Sequence, residues 1–146
     1  MSDSTAKTRT ITLTGRPPVK IVEEQWPVLA EASYHDYEGE YDFQSFRHWR
    51  GSIVLRQHAD GRAIVYAVCT YQTACQNENG YAQRAGELLR PAAFPTGQTV
   101  GGAETADIIA AIRRVHASID IVDDDHLDMW RLLADECIAD LPAEEL

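Results

Sequence analysis

Apolar and polar positions alternate in several segments of the first two thirds of the chain, and this period of two predicts β-strands. Residues 9–15 (RTITLTG) place Ile11 and Leu13 between threonines, which is typical of a half-buried strand rich in β-branched residues. Pro17 and Pro18 follow and predict a break, because proline cannot donate a hydrogen bond to a strand ladder.

A longer hairpin is predicted around Asp60 and Gly61, because an Asp-Gly pair between alternating segments is a strong hairpin signal. The alternating apolar positions on either side of this turn are Trp49, Ile53, Leu55, Ile64, Tyr66 and Val68. Residues 81–89 (YAQRAGELL) predict a fourth strand, and the proline and glycine content of residues 90–102 predicts a loop.

Apolar residues recur at helical spacing in the last third of the chain and predict two helices. The first stripe, behind a cap predicted at Thr105, comprises Ile108, Ile112, Val115 and Ile119. The second stripe comprises Leu127, Trp130, Leu133, Cys137, Ile138 and Leu141. A shorter helix is predicted within residues 23–33 (EEQWPVLAEAS), which place acids in a first turn before Val28, Leu29 and Ala32.

Strands followed by helices predict an α+β fold, in which an antiparallel sheet of about four strands carries the two C-terminal helices on one face. The short helix is expected to precede most of the sheet. A length of 146 residues predicts a single domain over 1–146. Within it, residues 1–8 are predicted to be flexible and residues 142–146 to form an acidic tail.

The negative charge is concentrated near the carboxyl end of the chain. Residues 1–100 carry eleven acids against ten Lys and Arg, whereas residues 101–146 carry twelve acids against three arginines, which gives a net charge of −9 for that part. Such a field repels nucleic acid and attracts basic surfaces, so we expect a protein partner with a basic nucleic-acid-binding surface and no direct nucleic-acid binding. Improved solubility is the alternative explanation of the same charge.

Three cysteines without a C-x-x-C pair suggest neither a disulfide framework nor a thiolate zinc site, and a reducing cytoplasm is the simplest setting. The amino terminus has no apolar stretch after its charges. The longest uncharged run, residues 63–77, is too short and too polar to cross a bilayer. We therefore expect no membrane association.

The segment YHDYEGEYDFQSFRHWRG (34–51) combines aromatic and acidic residues. If the strand containing Trp49 extends back to Tyr41, then Tyr41 and Phe43 share its core-facing side. The remaining acidic and aromatic positions then form a surface, which comprises Tyr34, Tyr37, Glu38, Glu40, Asp42 and Phe46. Tyrosine is favoured at protein interfaces but is also common on ordinary surfaces, so both interpretations stay open.

Motifs for metals, nucleotides and catalysis fail on inspection, and we predict no cofactor, no metal and no enzymatic activity. An EF-hand would require a glutamate six residues after Gly39, where the chain has Ser45. Gly97-x4-Gly102 resembles half of a phosphate loop but is followed by Ala103 and Glu104 instead of lysine and a hydroxyl residue. No G-x-S-x-G nucleophile turn is present in the sequence.

Three segments, ITLTGRPPVKI, RQHADGRAIVYAV and LADECIADLPAEEL, resemble parts of small uncharacterised proteins that are encoded by bacterial phages and conjugative elements. Small acidic proteins of such mobile elements are often similar to anti-CRISPR or antirestriction inhibitors, which act by occupying a host defence protein. The resemblance implies this context and no particular functional residue.

Aspartates gather before and within the start of the last predicted helix, at Asp120, Asp123, Asp124, Asp125 and Asp128. Carboxylates on a rigid helix can occupy an arginine-lined groove that normally tracks phosphates. We therefore predict partner binding through these aspartates and the surface at 34–46, with the protein acting as a nucleic-acid mimic that inhibits a defence complex. The alternative is a small enzyme or ligand-binding domain that uses residues 34–50. The oligomeric state stays open.

Overall fold

The structure is a computed structural model that describes residues 6–38, 47–73, 81–122, 124 and 126–143. The strands are β1 (Thr8–Leu13), β2 (Arg16–Val22), β3 (Val28–Glu38), β4 (Arg47–Gln57), β5 (Ala63–Thr73), β6 (Tyr81–Leu89), β7 (Thr99–Val100) and β8 (Ala103–Glu104), and the helices are α1 (Thr105–Ala117) and α2 (Leu127–Ala139).

The fold is α+β, as predicted, and its centre is a four-stranded antiparallel sheet in the order β3-β4-β5-β6. The predicted hairpin is confirmed, because β4 pairs with β5 from Gln57 and Ala63 outward. Its turn needs glycine, since Gly61 has a φ of 96°. The N–H of His58 donates to the carbonyl of Arg62 at 2.9 Å and closes this turn.

The predicted short helix at residues 23–33 is wrong. Only Glu23–Gln25 forms a single 3-10 turn, and the chain then enters β3. The physical reason is tertiary pairing, because β3 is hydrogen-bonded along β4 and places Ala30 and Ala32 in the core opposite Leu55 and Ile53. Pairing with a neighbouring strand thus overrides a weak local helical preference.

Pro17 and Pro18 interrupt the strand ladder, as predicted. Both residues belong to β2, which pairs with β1 in a separate two-stranded hairpin, but the register runs from Val22 to Val19 and then passes over both prolines to Arg16. The pairing is irregular between Ile11 and Leu13, where the register shifts and Leu13 lies opposite Arg16. Proline is tolerated beside such an irregularity and on an edge strand, since no ladder donor is needed there.

The two C-terminal helices pack on one face of the four-stranded sheet, as predicted. The main core lies between them. It contains Ile53, Leu55 and Val65 from the sheet, Ile108, Ile112 and Val115 from α1, and Trp130, Leu133 and Cys137 from α2, all of them buried. Thr105 is the first residue of α1 and not its cap, and its buried hydroxyl has no hydrogen-bond partner in the described part of the chain.

The β1–β2 hairpin packs on the opposite face of the sheet and forms a third layer that the sequence did not predict. A second core there contains Ile11, Leu13, Ile21, Trp26, Val54, Ile64 and Tyr66. The hairpin is tied to β6, because the N–H of Thr14 donates to the carbonyl of Gly86 at 2.8 Å. The hairpin therefore lies over β6, and the face of β3 and β4 is left more open.

Candidate functional site

The sequence-predicted binding residues that the structure describes lie at one end of the central sheet, where β3 ends and β4 begins and where β5 ends and β6 begins. Strand pairing places Glu38 opposite Arg47 and Asp36 opposite Trp49 at this end. The connection between α1 and α2 reaches the same end. We define the acidic end as residues 34–38 of β3 together with Asp120, Asp124 and Asp128.

The connection between α1 and α2 is attached to the sheet at two points. The N–H groups of Asp120 and Ile121 donate to Oε1 of Gln83 on β6, at 2.7 and 3.3 Å. His126, the last residue before α2, is buried and stacks on Trp49 of β4, with 4.8 Å between ring centroids and an interplanar angle of 11°. The connection therefore contacts β6 at Asp120 and Ile121 and β4 at His126, on the helix-covered face.

Trp49 is the centre of an aromatic cluster that supports the acidic end. It is 1% exposed, and its ring lies 5.6 Å from that of Tyr34 and 6.5 Å from that of Trp130, which it meets edge to face. His116 of α1 stacks on Trp130, and its Nε2 lies 2.9 Å from the Trp130 carbonyl oxygen. Such close packing of ring systems holds the start of α2 in a fixed position.

The carboxylates of Asp120, Asp124 and Asp128 are exposed to solvent. The side chain of Asp128 is 95% exposed, and its contact with Arg131 at 3.6 Å joins two solvated groups, so it contributes little to stability. No cation in the described ranges forms an ion pair with Asp120 or Asp124. These negative charges are therefore available to a partner.

The structure brings some of the predicted residues together and separates others. Tyr34 contacts Trp49, which in turn contacts His126 at the start of α2. Because Tyr34 is half-buried, it belongs mainly to the aromatic cluster and only partly to the surface. The backbone of Tyr37 and Glu38 lies in β3 at the same end. Asp120 instead contacts Gln83 of β6, a strand that lies two strands, or about 10 Å, from the strand of Trp49.

The other predicted binding residues lie outside the described residues. They are Asp123, Asp125, Glu40 and Phe46, and Asp42 of the predicted surface also lies outside. The predictions made for them stay predictions. The same holds for Tyr41 and Phe43, although Trp49, Ile53 and Leu55 do share the predicted buried side of β4.

The two described cysteines are buried, and burial raises the pKa of the Cys137 thiol to about 12, with smaller contributions from the carboxylates of Asp140 and Glu31. Such a thiol stays protonated at neutral pH and is a poor nucleophile. His58 has a local role, because its Nδ1 accepts the N–H of Asp60 at 3.0 Å within the hairpin turn.

The backbone N–H of Arg62 is the main cause of a lowered pKa for Asp60, and the carboxylate also accepts the Nε–H of Arg62 at 2.8 Å. The negative charge of Asp60 is thus paired with Arg62 within the hairpin turn. Within the described ranges, no three His, Cys, Asp or Glu side chains are grouped closely enough to hold a metal ion. No helix in that part of the chain is long and apolar enough to span a membrane.

Comparison with known proteins adds no relative. We found no match for the chain among protein-family models, curated proteins or solved structures. The resemblance to proteins of mobile elements therefore stays a hypothesis.

Proposed function

We propose that the protein is a non-enzymatic inhibitor that blocks a nucleic-acid-handling bacterial defence complex by occupying its basic surface with the acidic end. One observation carries the proposal. The exposed carboxylate of Asp128 lies at the start of a helix that is held in place by the stacking of His126 on the buried Trp49 ring. A partner then meets charges that are already positioned, and less conformational entropy is lost on binding.

The chemistry of the acidic end suits a surface that normally holds phosphates. Arginine side chains bind carboxylates and phosphates with the same planar geometry, and both contacts are strengthened when the donor and acceptor are charged. Asp128 lies in the first turn of α2, and Asp124 lies in the turn immediately before that helix. Neighbouring negative charges at a rigid helix start can therefore replace neighbouring phosphates in such a groove.

The proposed class of partner has two supports. The net charge of −10 favours encounter with basic surfaces and opposes encounter with nucleic acid itself. The resemblance of three segments to proteins of phages and conjugative elements suggests that the basic surface belongs to a defence complex, in the manner of an anti-CRISPR protein.

Charge reversal with a matched control tests the proposal. The test variant changes Asp120, Asp124 and Asp128 to lysine. The control makes the same change of net charge at the opposite end of the molecule, in the exposed residues Glu24, Asp107 and Glu136. Asp107 is in the first turn of α1 as Asp128 is in that of α2, so both variants lose one favourable helix-dipole contact of about 0.3–1 kcal/mol.

Wild-type protein and both variants are immobilised and exposed to a bacterial lysate that contains the defence complexes. Labelled nucleic acid is then added to each captured complex, and its binding is measured. We expect the wild type and the control to capture the complex and to compete with its nucleic acid, whereas the test variant does neither. Equal capture by both variants, or capture without competition, would refute the proposed mode of inhibition.

A further inference from the structure

The face of the sheet opposite the helices carries a groove of about 420 Å³, which is lined by β1 and by residues of all four strands of the central sheet. It is remote from the acidic carboxylates, which lie on the helix side. The lining residues that matter for its chemistry are Arg9, Glu31, Ser52, Arg56, Val68 and Arg84. Cavities of roughly 300–1,000 Å³ are typical of sites for small molecules.

Strand pairing builds the floor of the groove. Arg84 on β6 lies opposite Val68 on β5, and Val68 lies opposite Ser52 on β4. Neighbouring strands are about 4.8 Å apart, so the backbone of Arg84 is about 10 Å from that of Ser52. A ligand of this length would meet a guanidinium at one end, an apolar side chain in the middle and a hydroxyl at the other end.

Arg56 is a fixed part of the groove. It is only 8% exposed, its Nε–H donates to the hydroxyl of Tyr66 at 2.9 Å, and Nη1 donates to the carbonyl of Trp26 at 3.1 Å. Glu23 lies 3.7 Å from Nη2 of Arg56 and accepts the Nε–H of Arg9 at 2.6 Å. The two guanidinium groups are thus positioned before any ligand arrives.

Arg84 is exposed and differs from Arg9 and Arg56 because it forms no ion pair with any carboxylate in the described ranges. When Glu23 is counted with the lining, three arginines face the two carboxylates of Glu23 and Glu31, so Arg84 leaves one positive charge in excess. The sign of charge is therefore reversed locally in a protein whose net charge is −10. Such a field attracts a small anion, whereas the surrounding negative charge disfavours a long polyanion.

We propose that this groove binds a small organic anion, a phosphate or a carboxylate, whose charged group lies at Arg84 and whose body lies along Val68 toward Ser52. Arginine pairs with either oxyanion through charge-assisted hydrogen bonds. Val68 offers an apolar contact for the body of the ligand. This site does not depend on the proposed inhibitory function, because it uses a different face of the sheet.

Titration of the full chain with four probes, followed by amide chemical shifts, tests the site. Adenosine 5′-monophosphate and adenosine differ only by the phosphate, inorganic phosphate lacks the body, and succinate supplies carboxylates instead. We expect saturable shifts around Ser52, Val68 and Arg84 with the monophosphate or with succinate, and none with adenosine. A preference between these two probes identifies the oxyanion.

Three variants then separate a defined site from general attraction. Arg84→Gln should weaken binding by about tenfold or more, as expected for loss of a charged hydrogen bond. Ser52→Phe should block the groove with no change of charge. Arg113→Gln removes the same charge from an exposed ion pair on α1, with Asp135 at 3.3 Å, and should bind as the wild type does.

Several outcomes would overturn the proposal. These are the absence of saturable shifts with all the charged probes, equal binding by Arg84→Gln and the wild type, or equal weakening by Arg113→Gln. The lysine variant of the acidic end should bind the anion as the wild type does or more tightly, so failure of the inhibitor proposal leaves this test intact. If Ser52→Phe does not fold, the comparison of Arg84→Gln with Arg113→Gln still decides the matter.

Discussion

Replacement of Gly51 by alanine adds one methyl group beside Trp49 and Trp130, and so tests whether the aromatic cluster under the acidic end is closely packed. A Cβ at this residue would lie 2.9 Å from Cη2 of Trp49 and 3.0 and 3.1 Å from Cε3 and Cζ3 of Trp130. Carbon atoms in contact prefer about 3.5–4.0 Å. Gly51→Ala would therefore force both buried indole rings to move by about 0.5 Å or more.

The cost follows from overpacking. Extra methyl groups in a well-packed core cost about 1–3 kcal/mol, and exchange of glycine for alanine within a strand returns about 0.5–1 kcal/mol. We expect Gly51→Ala to lower the free energy of unfolding by about 1 kcal/mol, within the range of about 0–2.5 kcal/mol that the difference of these two effects gives. Because the same rings hold His126 and the start of α2, binding of the partner should weaken as well.

Urea unfolding followed by tryptophan fluorescence measures this change, and Gly97→Ala is the matched control. A Cβ at Gly97 meets no atom within 4 Å, so its alanine variant should be as stable as the wild type or more stable by about 0.4–1 kcal/mol. If Gly51→Ala is as stable as Gly97→Ala, the aromatic cluster is not packed as described.

Further predictions concern the core, a thiol and a carboxylate. Trp130→Ala and Leu133→Ala should each lower the free energy of unfolding by about 2–5 kcal/mol, because both side chains are buried under α2, and unchanged urea midpoints would contradict that packing. Cys137 should react with iodoacetamide only after unfolding, since burial raises its pKa to about 12, and rapid labelling of the native protein would contradict this. The hydrogen bond from Arg9 lowers the pKa of the Glu23 carboxyl below its ordinary 4.5. The ionised carboxylate therefore stabilises the fold fully above pH 4.5, and this stabilisation is lost as the pH falls through the lowered pKa. The stability difference between the wild type and Glu23→Gln should therefore shrink as the pH falls below 4.5, and a constant difference in urea titrations would refute the linkage.

The parts of the fold that local pattern determines were predictable. The alternation around Asp60 and Gly61 specified a hairpin, because the turn residues and the apolar positions of both strands lie next to one another in the sequence. The helical stripes were equally readable. In contrast, β3 depends on pairing with β4 far along the chain, and residues 23–33 alone favour a helix.

The candidate sites depend still more on distant contacts. Tyr34 and the start of α2 are nearly a hundred residues apart in the chain, and they meet only because both contact Trp49. The arginine groove assembles Arg9, Arg56 and Arg84 from three strands of two different sheets. The register of the paired strands brings these arginines together, and their spacing along the sequence does not predict it.

The salt dependence of the association rate tests the inhibitory mechanism most directly. Opposite charges steer encounter, and this steering is screened over about 10 Å near 0.1 M ionic strength. With the captured defence complex as partner, we predict that the wild-type association rate falls steeply as salt rises. The variant with lysine at Asp120, Asp124 and Asp128 should associate slowly at every salt concentration, and the control with lysine at Glu24, Asp107 and Glu136 should keep most of the wild-type dependence. A wild-type rate that is unchanged by salt and by the charge reversal would contradict binding through the acidic end.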